Sequence, residues 1–181
     1  MSALDGNVPF RRVVVKWVVV YFANLAGSLL LAYFMFKTDL WKGGNFLSGI
    51  QALKIANAKV NLAFGPAFFR AILCNWLVCL AVWLALASRE IAGRIFAIFF
   101  PIMTFVALGF EHCIANMYFI PMGMLLKGTE AAKASGLDLS NLTTGGFIGN
   151  LIPVTLGNIL GGALFVACVY WYVYVKGTLK K

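Results

Sequence analysis

The chain has 181 residues, a formal net charge of +9, 62% hydrophobic residues and 12% charged residues, where a soluble domain carries about 25% charged. Six acids and fifteen Lys and Arg are too few to wet a compact globule, and several apolar stretches exceed the ~18 residues that a bilayer-spanning helix needs. A soluble fold is excluded, and 16 Phe, 5 Trp and 6 Tyr against 5 Pro exclude a disordered chain.

In chain order, Met1–Pro9 lacks the basic region, short apolar core and cleavage site of a secretory signal. A first span is predicted over about 10–36, opened by Arg11, Arg12 and Lys16 and closed by Lys37, with Trp17 and Trp41 as interfacial anchors. Over about 44–64, Phe46, Leu47, Ile50, Leu53 and Ala56 recur near helical spacing while Lys54 and Lys59 interrupt any membrane core. That pattern predicts an amphipathic helix lying in the interface. Gly65 and Pro66 mark a break, and a second span follows over about 66–87. The run over about 91–126 holds Gly109, Glu111, His112, Asn116 and Pro121, so the third span is predicted to be broken near 109–116. A polar loop over 127–144 leads to a last span over about 145–175, which ends at Lys176, Lys180 and Lys181. The whole chain reads as one all-α transmembrane domain.

Four crossings put both termini on one side. Arg11, Arg12, Lys16, Arg89, Arg94, Lys176, Lys180 and Lys181 lie on the terminal side, against Lys37, Lys42, Lys54, Lys59, Arg70, Lys127 and Lys133 opposite. This excess of eight over seven places the termini in the cytoplasm. The basic residues thus read as a topology signal, and no nucleic-acid partner is expected. Cys74, Cys79, Cys113 and Cys168 fall in apolar runs without C-x-x-C spacing, so neither a disulfide frame nor a zinc site is indicated.

Val20–Leu30 (V-Y-F-A-N-L-A-G-S-L-L) aligns with Val154–Leu164 (V-T-L-G-N-I-L-G-G-A-L), superposing Asn24 on Asn158 and Gly27 on Gly161. The two copies are three spans apart and therefore run in opposite directions, as an inverted repeat demands. A repeat unit of three spans makes the first span the last third of a unit whose other two spans precede it. Chance coincidence of small residues and Asn in membrane helices is the competing explanation.

Glu111 and His112 are ionisable groups deep in an apolar run, where such groups are costly and face cavities or pathways. His112 is the one histidine of the chain, and an imidazole with an unperturbed pKa near ~6.5 exchanges protons with a weak acid at physiological pH. A neutral imidazole tying two helices together is the plainer alternative. Asn75, Asn116 and Asn158 are amides within spans, able to orient the histidine, cap broken-helix backbone or act as interhelical glue. Lys59 precedes the second span, where it could draw an anion to a vestibule or simply snorkel. Phe105, Phe110 and Val78 are candidate constriction residues, with plain packing as the alternative. Walker, G-x-S-x-G, H-E-x-x-H and dinucleotide-binding motifs are absent, so neither an enzyme nor a cofactor is indicated. Paired N-P-A motifs are absent too, which leaves a neutral-solute channel of aquaporin type without support.

The segments A-K-V-N-L (58–62), R-A-I-L-C-N-W-L-V-C-L-A-V-W (70–83), F-V-A-L-G-F-E-H-C-I-A-N-M (105–117), I-P-M-G (120–123) and N-L-I-P-V-T-L-G-N-I-L-G-G (150–162) give the chain, from Arg11 onward, a sequence that resembles the formate/nitrite transporter family. The resemblance implies an aquaporin-like helical bundle with broken helices, in homopentamers of six-span protomers with one pore each, in the cell's inner (cytoplasmic) membrane. It implies passage of small monovalent anions or their acids: formate, nitrite, hydrosulfide, lactate and acetate. It makes His112 the central pore histidine, with Glu111, Asn116, Asn75 and Asn158 around it, Lys59 the residue that attracts the anion, and Phe105 and Val78 constrictions. Such a protomer has two spans before Arg11, as the repeat also asks. The chain is therefore read as the C-terminal four of six spans, an incomplete inverted repeat. The alternative function is a transport-incompetent fragment that only associates with full-length protomers.

Overall fold

The computed structural model describes residues 3–176; Lys180 and Lys181, counted above among the terminal basic residues, lie outside them. The described residues form helices joined by turns: α1 (Phe10–Lys37), α2 (Leu47–Val60), α3 (Phe64–Ala87), α4 (Ile91–Ala107), α5 (Cys113–Leu126), α6 (Glu130–Ser135) and α7 (Thr144–Gly162). Beyond Gly162 the last helix continues to Val175, with widened turns over Ala163–Cys168 and Trp171–Val175. By length and apolarity α1, α3 and the 32-residue stretch Thr144–Val175 can each cross a bilayer. The run over 91–126 instead divides into α4 and α5, of 17 and 14 residues. At 1.5 Å per residue each is about 20–25 Å long, short of the ~30 Å hydrocarbon core.

The chain separates into two compact units, one of residues 1–18, 67–112 and 154–181, the other of 19–66 and 113–153. In the first, α3 and the C-terminal part of α7 come together through small residues. A methyl group added to Gly157 would run into the Phe68 carbonyl and the Ala71 side chain, and one on Gly161 into the Ile72 backbone. Only glycine permits so close an approach, and in a membrane such contact takes over the role that water-driven burial has elsewhere. Farther along the same helices Trp76 stacks on Phe165 with ring centroids 5.2 Å apart, and Trp83 lies 4.8 Å from Tyr170.

In the second unit, the apolar side of α2 is covered by α5. Leu53 and Ala56 of α2 and Ile120 and Leu126 of α5 are fully buried in one cluster, and a methyl on Gly123 would collide with the Ala56 side chain. The helix read from periodicity as interfacial thus spends its apolar face on protein. The connection from α1 to α2 is fixed by Trp41, whose ring stacks between Phe36 and Phe46 at 5.7 and 6.1 Å. Its Nε1 donates to the Phe36 carbonyl at 3.0 Å. Phe46 itself adopts φ +67, a left-handed conformation costly for a bulky residue and held here by that stack.

Truncating Leu53 to Ala should lower the unfolding free energy in detergent by about 2–5 kcal/mol, the range for an unfilled core leucine. Leu47→Ala on the same helix, where the side chain is exposed, should change it by less than about 0.5 kcal/mol. Thermal or denaturant unfolding of the two variants side by side checks the assignment of the α2 core face.

Candidate functional site

The interruption between α4 and α5 is built from five residues, Leu108–His112. α4 closes with the Leu108 N–H donating to Thr104 O at 3.0 Å; the Phe110 N–H then reaches back to Phe105 O at 3.0 Å, a wider turn. Gly109 takes φ +65, open to glycine and strained for other residues. Helical bonding resumes at Cys113. A gap of this kind releases carbonyls from the helix ladder at a depth where each needs a partner within the protein.

Asn158 of α7 supplies that partner. Its Nδ2 donates to the Glu111 carbonyl at 3.0 Å and to the Ala71 carbonyl of α3 at 2.8 Å. Asn75 of α3 donates in turn to the Asn158 carbonyl at 2.6 Å. The Asn75 amide of α3 and the Asn158 amide of α7 therefore lace α3, α7 and the interruption together. Glu111 is 4% exposed. The His112 ring is half-buried and stacks on Phe105, the centroids 6.0 Å apart and the planes at 25°. Val78 is half-buried on α3, three residues beyond Asn75. Seven of the predicted site residues, Asn75, Val78, Phe105, Phe110, Glu111, His112 and Asn158, thus belong to the first unit.

The other two belong to the second. Asn116, fully buried on α5, donates Nδ2 to Asn150 Oδ1 at 2.7 Å, and Asn150 donates its own Nδ2 to the Lys59 carbonyl at 2.8 Å. This chain fastens α5 and α7 to the C-terminal end of α2. The Lys59 ammonium lies 5.8 Å from the centre of the Phe119 ring, within cation–π range. Asn150 is the residue that sequence reading missed. It is buried, and the available signal was an amide in an apolar helix eight residues before Asn158. Among the described residues no group of His, Cys, Asp and Glu is arranged to hold a metal ion.

The formate/nitrite transporter family profile matches residues 1–172. Similar proteins include the probable formate transporter of Methanothermobacter thermautotrophicus, 42% identical over 97% of this chain and 65% of the relative. The formate channel FocA of Escherichia coli K12 is 38% identical over 97% of this chain and 64% of its own length. Among solved structures, a pentameric formate channel with formate bound superposes with a TM-score of 0.85 at 39% identity, over 94% of this chain and 69% of that one. The chain is a membrane protein and belongs to the formate/nitrite transporter family. It spans somewhat less than two thirds of the length of the two curated relatives.

Replacing Asn150 by Leu removes the acceptor of the buried Asn116 Nδ2 and should cost about 1–3 kcal/mol. In an Asn116→Leu background the same change should cost less, with a coupling of about 0.5–2 kcal/mol. A double-mutant cycle on unfolding in detergent measures it; strict additivity would mean that the two amides do not interact.

Proposed function

We propose that the chain serves the transmembrane passage of a small monovalent anion, formate foremost, with nitrite, hydrosulfide, lactate and acetate as the wider substrate class. The observation that carries this is the clamped interruption. A histidine is the last residue of a helix break, the carbonyl just before it is held by Asn158, and an aromatic ring is stacked against it. Relatives named for formate passage and a solved formate-bound pentameric channel support the anion and a homopentameric assembly.

In this reading Lys59 attracts the anion, since a cation at a low-dielectric boundary raises the local concentration of its counter-ion. Phe105 and Val78 narrow the path and exclude water. His112 exchanges a proton with the anion, which then crosses as a neutral acid and avoids the cost of carrying charge through hydrocarbon. An imidazole is suited to this because its ordinary pKa, near ~6.5, allows both protonation states at physiological pH. Asn158, braced by Asn75, holds the Glu111 carbonyl just before it, which keeps the donor in register. The protein works in the cytoplasmic membrane with its termini in the cytoplasm, a placement resting on the eight basic residues of the terminal side against seven opposite.

The test is formate and nitrite flux into liposomes between about pH 5 and 8, where imidazole changes charge, for the 181-residue chain and for the chain extended by two preceding spans. Flux in neither contradicts the proposal. In the active preparation, His112→Asn and His112→Phe should flatten the pH dependence while leaving assembly intact; an unchanged profile in both removes the proton role. Lys59→Ala should slow flux about tenfold at low salt, with the difference shrinking as ionic strength rises.

A further inference from the structure

One end of the first unit carries a basic rim that the protein itself does not neutralise. α3 stops at Ala87 and α4 starts at Ile91, so a short turn joins them. The end of α7 lies beside that turn, since the Trp83 ring is 4.8 and 6.4 Å from those of Tyr170 and Tyr174. The start of α1 belongs to the same unit. This end holds Arg11, Arg12, Lys16, Arg89, Arg94 and Lys176, all exposed, against the acids Asp5 and Glu90. Among the described residues none of these six cations forms an ion pair, whereas Lys42 and Lys133 of the second unit pair with Asp39 and Glu130, each at 2.8 Å. Four of the five arginines of the chain stand on this rim, the exception being Arg70.

Arginine is suited to a phosphodiester, because its planar guanidinium meets two phosphate oxygens at once and is more weakly hydrated than an ammonium. Arg94 is already oriented. Its Nε donates to the Ser88 carbonyl at 3.3 Å, and the Ser88 hydroxyl donates to the Glu90 carbonyl at 3.0 Å. The guanidinium is thereby drawn back over the turn that carries Arg89. A methyl on Gly93 would run into the Ser88 hydroxyl, so the first turn of α4 is packed closely enough to keep that arrangement. The surroundings favour a lipid over a soluble anion. Leu86 and Ile91, on either side of Arg89, are 72% and 79% exposed, and Trp17 and Tyr172 are exposed near Lys16 and Lys176. Cations set among exposed apolar and aromatic side chains match the level at which headgroup phosphates meet acyl chains; a free phosphate uses the cations alone.

We propose that this rim binds acidic phospholipids, the Arg89 and Arg94 guanidiniums gripping the headgroup phosphodiester while the apolar side chains beside them meet the acyl chains. The other four cations add an attraction that salt screens. The rim is separate from the anion pathway and its readout is lipid binding, so the proposal stands or fails independently of transport.

The experiment titrates the detergent-solubilised 181-residue chain with phosphatidylglycerol brominated on its acyl chains, with brominated phosphatidylcholine as the neutral reference, and reads binding from the quenching of tryptophan fluorescence. Phosphatidylglycerol should bind about tenfold more tightly at low ionic strength, with the preference shrinking as salt is added. Arg89→Gln together with Arg94→Gln should weaken phosphatidylglycerol about tenfold and leave phosphatidylcholine unchanged. Arg89→Lys together with Arg94→Lys keeps the charge without the fork and should recover only part of the loss. Lys37→Gln together with Lys54→Gln, exposed residues outside the rim, should leave the preference in place. All these side chains are exposed, so each variant should keep the helicity and elution volume of the unmodified chain. Equal affinity for the two lipids, an equal loss in the Lys37 and Lys54 variant, full recovery by lysine, or displacement of the lipid by an equal concentration of glycerophosphoglycerol, the headgroup without acyl chains, would each overturn the proposal.

Discussion

Backbone carbonyls released inside a membrane must find donors within the protein, and that constraint organises the region around His112. The helix run over 91–126 stops at Ala107 and restarts at Cys113, which leaves the Glu111 carbonyl outside any helical ladder. Asn158 takes it, together with the Ala71 carbonyl, and Asn75 closes the set from α3. Removing water from such bonds makes each of them costly to leave unmade. The interruption is thus a fixed structure rather than a loose joint, and an ionisable side chain placed at its edge is held in a defined setting.

Amides do this work throughout the chain, and glycines make room for it. The Asn116, Asn150 and Lys59 series in the second unit repeats the pattern of an asparagine side chain reaching a carbonyl of another helix. Neutral amides suit the task because they donate and accept without the desolvation cost of a charge. Gly123, Gly157 and Gly161 let helix backbones approach closely enough for the contacts to form.

Much of this was legible in the sequence, for reasons of depth and pattern. Glu111 and His112 stand out because ionisable groups in a long apolar run need a special environment, and Gly109 marks where the backbone can turn. The helix ends differ in detail: Asn116 lies within the buried first turns of α5 rather than in the gap, because its side chain reaches Asn150 and needs no interruption to be satisfied. Two things were not legible. The Asn75 to Asn158 and Asn150 to Lys59 bonds join residues 83 and 91 positions apart, and nothing local encodes such pairings. The cover over the α2 apolar face is likewise a tertiary fact; periodicity revealed the face, while α5 and Gly123 supply what lies on it.

The most direct measurement is hydrogen exchange, resolved by residue, on the chain with and without Asn158→Leu in a membrane mimetic. If the Asn158 amide holds the interruption, exchange at residues 108–113 and around Ala71 should accelerate about tenfold or more, equivalent to at least ~1.4 kcal/mol of local opening. The buried core of α2 and α5 should exchange as before. Unchanged exchange at 108–113 would contradict this and show that the interruption is held by something other than the asparagine.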